Sequence, residues 1–98
     1  MTTEYLVSHI PYTKEKAVSR VFLSTLLGAS DRDVRKAIQM ARTEGYIIIN
    51  TQDGRGYYRS DDIDDIERQY RQNDRRAKSI LVQQKHLRRL LKEAGRKV

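Results

Sequence analysis

The chain has 98 residues, 38% of them hydrophobic, which is enough for one modest core and too little for two independent ones. Twenty Lys and Arg stand against 13 Asp and Glu, a net charge of +7, so the field of the molecule attracts polyanions, and nucleic acid or an acidic partner is the first expectation. The absence of cysteine excludes a disulfide framework and thiolate chemistry, no apolar run approaches the roughly 20 residues of a membrane span, and no basic stretch followed by an apolar one marks export, so a cytoplasmic protein with no membrane contact is expected.

In chain order, "TTEYLVSHIP" reads as a short helix that begins at a Thr, has Leu6, Val7 and Ile10 on its apolar side, and is stopped by Pro11, the single proline. "YTKEKAVS" is polar and reads as a loop, with a possible short strand at Ala17 and Val18. Ser19 can cap a second helix, "RVFLSTLL", whose Val21, Phe22, Leu23, Leu26 and Leu27 are too apolar to face water, which makes it a core helix. Gly28 stands where a helix ends in a left-handed residue, so the chain must turn there.

Ser30 starts a third helix as its cap, with Asp33 three residues on as in a capping box and Asp31 favouring the positive end of the helix dipole. Val34, Ile38 and Ala41, with Ala37 beside them, make its apolar stripe, and Gly45 closes it. Of the basic residues along this helix, Arg32, Arg35, Lys36 and Arg42, the first three fall with Gln39 and Thr43 on the side away from the stripe. "YIIINTQDGRGYYRS" changes period and reads as a β-hairpin with a glycine-permitted turn, Arg55 at its tip between Gly54 and Gly56, and one of Tyr57 and Tyr58 inward.

From Asp61 or Asp62 to about Ala94 there is no glycine or proline, and apolar or small residues recur in alternating steps of three and four. Ile63, Ile66, Tyr70, Ala77, Ile80, Leu87, Leu91 and Ala94 lie on that register, with Asn73 and Gln84 as polar members, so one long helix is expected. Charge follows the dipole: residues 61–67 hold five acids and no base, whereas residues 68–98 hold eleven bases and two acids. Such a helix outreaches a body of about 60 residues, and its apolar stripe asks for a cover. A coiled-coil homodimer through Ile66, Tyr70, Ala77, Ile80, Leu87 and Leu91 is the first expectation; DNA phosphates or the acidic groove of a protein partner are the alternatives.

The order helix, helix, turn, helix, hairpin resembles a winged helix-turn-helix DNA-binding domain of the kind found in small phage and prophage proteins and bacterial regulators. The resemblance covers residues 3–60 and rests on Leu23, Ser24, Leu27 and Gly28, on Val34, Ala37 and Ile38, and on "SDRDVRKAI" followed by "AR" and "EG". Ser24 replaces the usual alanine, and Ala37 a larger residue. What the resemblance implies is a mostly α fold with a small β-hairpin and a winged body over 1–60; the long basic C-terminal helix over 61–98 lies outside the family pattern. It further implies that Ser30, Arg32, Arg35, Lys36, Gln39 and Thr43 contact double-stranded DNA, with Arg35 and Gln39 on bases, Arg32 and Lys36 on phosphates, and Arg55 as the wing contact.

No arrangement of serine, histidine and acid and no phosphate-binding glycine loop supports catalysis. His9 and His86 stand apart without ligand partners at metal-binding spacing, and no cofactor is implied. A small DNA-binding transcriptional regulator is the expected function. The competing expectation is a protein-interaction module, such as a phage inhibitor or a replication accessory factor, that uses the winged body and the long helix to hold a partner.

Overall fold

A computed structural model describes all residues, Met1–Val98. The fold is mostly α with one small β-hairpin: α1 (Thr3–Ser8), a 3-10 turn (Lys14–Lys16), α2 (Arg20–Leu27), α3 (Asp31–Thr43), β1 (Ile48–Asn50), β2 (Tyr57–Arg59) and α4 (Ile63–Glu93). Two compact units divide the chain, Met1–Ile66 and Glu67–Val98. The boundary therefore falls six residues beyond 60/61, one turn into α4, for a local reason. The buried Ser60 hydroxyl donates to Asp65 at 2.9 Å and accepts from the Asp62 amide at 3.0 Å, which ties the first turn of α4 to the end of β2.

Each helix of the first unit starts at a side-chain cap. Thr2, Ser19 and Ser30 accept from the amides of Tyr5, Phe22 and Asp33 at 3.0–3.1 Å, each satisfying one donor that the helix cannot pair internally. Only the forward half of the Ser30–Asp33 capping box forms. α2 ends at Gly28 with φ of 63°, a left-handed residue as expected, and the Ser24 hydroxyl donates to the Ala29 carbonyl to close the corner. α1 stops at Ser8, earlier than Pro11 requires, and Ile10 reaches the core from the loop.

The core gathers Leu6, Val7 and Ile10 from the first segment, Leu23 from α2, Val34, Ile38 and Ala41 from α3, and Ile48 from β1. α3 packs against both α1 and α2 and is the element the others share. One expectation is corrected. Of the five apolar side chains of α2 only Leu23 is buried; Leu27 is half-buried, whereas Val21, Phe22 and Leu26 stand 73%, 50% and 48% exposed. An eight-residue helix that packs chiefly on α3 has a single side to bury, whatever its composition.

The hairpin pairs Ile48 with Arg59, Ile49 with Tyr58 and Asn50 with Tyr57. Tyr58 is the inward tyrosine at 1% exposure, while Tyr57 packs half-buried against the core. Val18 joins as a third, single-residue rung through two backbone bonds to Tyr57, of 3.0 and 2.8 Å, which is what the short strand predicted at Ala17–Val18 amounts to. That rung passes Gly56 so closely that a Cβ there would overlap the Val18 carbonyl.

The two turn glycines should therefore respond differently to alanine. Gly54, with φ of 77° and open space around it, should cost about 1 to 2 kcal/mol for the left-handed backbone alone. Gly56→Ala, at φ of 152°, should also break the two bonds to Val18 and cost about 3 kcal/mol or more. Urea unfolding of the two variants measures the difference; equal losses would mean that the Val18 rung carries no stability.

Candidate nucleic-acid interface

Burial of Val34, Ile38 and Ala41 fixes the rotation of α3 about its axis, and the 100° step of a helix then dictates what faces outward. Arg32, Arg35, Lys36, Gln39 and Thr43 are all exposed and, with Met40, line one shallow open depression along the helix. Five of the seven residues expected to contact DNA are thus brought onto one strip. Met40, 61% exposed in its middle, was missed by sequence reasoning, although it lies one helical turn beyond Lys36 on the same face.

Within the strip the cations differ in what they already hold. Asp31 is shared between Arg20, at 3.0 Å, and Arg35, one turn along α3 at 3.4 Å. Arg32 and Lys36 make no ion pair or hydrogen bond. They are themselves one turn apart, a like-charge placement that costs the helix a few tenths of a kcal/mol, about 0.2 to 0.5. The remaining expected contacts are engaged locally. The Ser30 hydroxyl is occupied as the cap of α3, and the Thr43 hydroxyl donates to the main-chain carbonyl of Gln39 at 3.0 Å; the Gln39 side-chain amide makes no hydrogen bond.

Arg42 turns away from the strip. Its guanidinium donates twice to the Ile48 carbonyl, at 2.8 and 3.2 Å, and once to Asn50 Oδ1 at 2.9 Å, with the Tyr57 ring 5.8 Å from Cζ. It is a brace between α3 and the hairpin.

Arg55 occupies the tip of the hairpin as expected, but it is not a bare cation. Its Nε lies 2.6 Å from Asp53 Oδ2, and its amide donates to Asp53 Oδ1 at 3.1 Å. That amide bond first, and the Thr51 hydroxyl second, hold the Asp53 carboxyl below its ordinary value of 3.8. The pair is more than half exposed, so a phosphate can take the place of the carboxylate at little cost.

The second unit carries a pattern the sequence reading passed over. Arg68, Arg71, Arg75, Lys78, Lys85, Arg89 and Lys92 follow one another at helical spacing along α4, on the side opposite Tyr70, Ala77, Ile80, Leu87 and Leu91. Arg71 pairs with Glu67 at 2.8 Å and Lys78 with Asp74 at 2.9 Å, each raising the pKa of its cation, first through the hydrogen bond and then through the opposite charge. Beyond Lys78 the stripe makes no ion pair, and Glu93 is the one acid there. Among the six expected dimer positions Ile66 is half-buried, and Tyr70, Ala77, Ile80, Leu87 and Leu91 are exposed.

No group of three or more His, Cys, Asp and Glu side chains is placed to hold a metal ion. His9 Nδ1 lies 2.8 Å from the Tyr5 carbonyl, and its ring packs edge-on to that of Tyr5 at the end of α1. No helix is long and apolar enough to cross a membrane. Comparison of the chain with protein-family models, with curated proteins and with solved structures returns no match.

Two measurements separate structural from available charge. Arg42→Met should destabilise the chain by about 1.5 to 3 kcal/mol, since it removes charged hydrogen bonds to partly buried acceptors. Arg32→Ala and Lys36→Ala should stay within about 0.5 kcal/mol in the same denaturation assay. At the tip, a depressed carboxylate contributes stability above its unfolded pKa and loses it as pH falls through the lower folded value. The Arg55 amide resonance should therefore be constant above about pH 5 and move only in a transition below 3.8, absent in Asp53→Asn.

Proposed function

We propose that the chain is a sequence-specific double-stranded DNA-binding protein of winged helix-turn-helix type, acting in the cytoplasm as a small transcriptional regulator of the kind phages and prophages carry. Binding is its whole activity in this reading, with no catalytic step and no cofactor. The observation that carries it is the pair Arg32 and Lys36: two cations with no partner, held side by side with Arg35 and Gln39 on the outer face of a helix whose inner face is core.

An array of this kind costs the isolated fold a little and returns nothing to it. Against a duplex it becomes favourable, because each Lys or Arg that meets a phosphate releases condensed counterions. The major groove admits a helix, Arg can donate two bonds to guanine O6 and N7, and the uncommitted Gln39 amide can pair in the same two-bond manner with adenine. Met40 and the Thr43 methyl supply apolar surface for a thymine methyl. Gly28 and the capped start at Ser30 turn the amino end of α3 outward from α2, where its first amides can face a phosphate. Arg55 stands on the hairpin as the wing contact, by exchange of Asp53 for the DNA backbone.

The exposed Val21, Phe22 and Leu26 of α2 favour a second reading, a protein-interaction module that docks a partner on that apolar face.

Selection of duplexes from a random pool, followed by titration at several salt concentrations, distinguishes the two. DNA recognition requires a preferred sequence that survives screening of the phosphate contribution. Arg35→Ala should then cost about 1 to 3 kcal/mol and relax the preference at one base pair, whereas Lys36→Ala should weaken all sequences alike and lower the salt slope by about 1. Absence of duplex binding by the intact chain, with capture of a partner that Phe22→Ser abolishes, would establish the second reading instead.

A further inference from the structure

We propose that α4 pairs with α4 of a second copy in an antiparallel coiled coil, in the register that sets Tyr70 against Leu87. The inference goes beyond the DNA reading and holds whether or not the chain binds DNA.

Every residue of Glu67–Val98 is exposed or half-buried, and within this stretch Tyr70, Ile80, Leu87 and Leu91 stand 43–66% exposed on one stripe. Leu81 and Leu90 widen it. The stripe repeats at 3.5 residues, the period of a left-handed supercoil, and the cations at 75, 78, 85, 89 and 92 lie on the far side. Closing the stripe against another helix therefore buries no charge.

The choice of a second copy, and of its direction, follows from charge. The amino end of α4 and the residues just before it are acidic, with Asp61, Asp62, Asp64, Asp65 and Glu67, and its carboxyl end is basic, with Lys85, Arg88, Arg89 and Lys92. Two copies side by side in the same direction would set acid on acid and base on base. Reversed, each acidic end meets a basic one, and the helix is its own electrostatic complement.

Register follows from the two polar members of the stripe. Centred between Lys78 and Ser79, the antiparallel pair stacks Ile66 on Leu91, Tyr70 on Leu87 and Ala77 on Ile80, and Asn73 falls opposite Gln84 of the second copy, twice by symmetry. Gln69 already donates to Asn73 Oδ1 at 3.0 Å, which leaves the Asn73 amide hydrogens for the Gln84 carbonyl. Sliding by one heptad in either direction buries Asn73 and Gln84 against Leu91, Ile80, Ile66 or Ala77, where neither finds a partner. In the centred register the flanking positions also bring Glu67 beside Arg88, with no like charges facing.

The chain has no cysteine, so introduced thiols report alone. Full-length Tyr70→Cys and Leu87→Cys, one of them tagged to shift its mass, are mixed and equilibrated in a glutathione redox buffer. The expected product is the 70–87 disulfide between unlike chains. Like-with-like 70–70 and 87–87 products would overturn the proposal, and so would a monomeric mass for the unmodified chain at tens of micromolar.

Because either substitution alters the seam, a nitroxide on Lys92→Cys at the outer face gives an independent reading. Its two copies should lie about 40 Å apart in the antiparallel pair, from 27 residues of offset at 1.5 Å each, whereas a parallel pair would hold them within about 20 Å. Neither measurement involves DNA, so failure here leaves the DNA reading to its own test.

Discussion

The structure depends on one act of packing, the burial of Val34, Ile38 and Ala41 along one side of α3. Full burial of a Val or Ile side chain contributes about 1.5 to 3 kcal/mol, whereas the ion pairs of Asp31 with Arg20 and Arg35 are surface pairs worth about 1 kcal/mol or less. Packing therefore sets the rotation of the helix, and the charges take the places it leaves. Outward display of Arg32, Arg35, Lys36 and Gln39 needs no separate cause. The helix is also held at both ends, by the corner at Gly28 and the cap at Ser30 on one side and by Arg42 on the hairpin at the other.

What could be read from the sequence was whatever is decided within a turn or two of chain. Ser19, Ser30 and Gly28 punctuate the helices by bonding to their own neighbours, so their positions announced the element boundaries. The stripe on α3 and the alternation of Tyr57 and Tyr58 are likewise local geometry. α2 was over-read because apolar content measures how much surface a helix offers to a core and says nothing about how many neighbours arrive to cover it. Its Val21, Phe22 and Leu26 are apolar and uncovered at once.

The fate of the arginines illustrates the same limit at the candidate site. Arg35 and Arg42 are seven residues apart, nearly the same angle on a helix, yet one faces solvent and the other braces the fold. The difference is made by the Ile48 carbonyl and the Asn50 side chain, which the hairpin brings back within reach of a long flexible cation six to eight residues upstream. Arg55 was placed correctly at its tip, and its pairing with Asp53 was not legible, because two charged residues separated by a glycine meet only if the turn curls in the right sense. The basic stripe of α4 was legible by spacing. It was masked by the apolar register on the same helix, which drew the same residues' neighbours into a dimer pattern.

That coincidence of two stripes on α4 has a physical consequence. A 3.5-residue repeat drifts about 20° per heptad on a straight helix, so an apolar and a basic stripe with the same repeat drift together and stay on opposite sides from end to end. One face is thus free for apolar association while the other stays wet and positive, and the two uses do not compete for surface. They do respond oppositely to the medium. Added sulfate strengthens apolar contact by exclusion from the surface, while any salt screens attraction to a polyanion over a Debye length of about 8 Å at physiological ionic strength. Glu67 with Arg71 and Asp74 with Lys78 offset two cations of the amino half, whereas Lys85, Arg89 and Lys92 at the carboxyl half face the single acid Glu93, so the positive charge that salt screens is larger there. Raising the salt concentration therefore weakens the field of this helix most at its carboxyl half, while the apolar stripe on the other face is strengthened by an excluded salt.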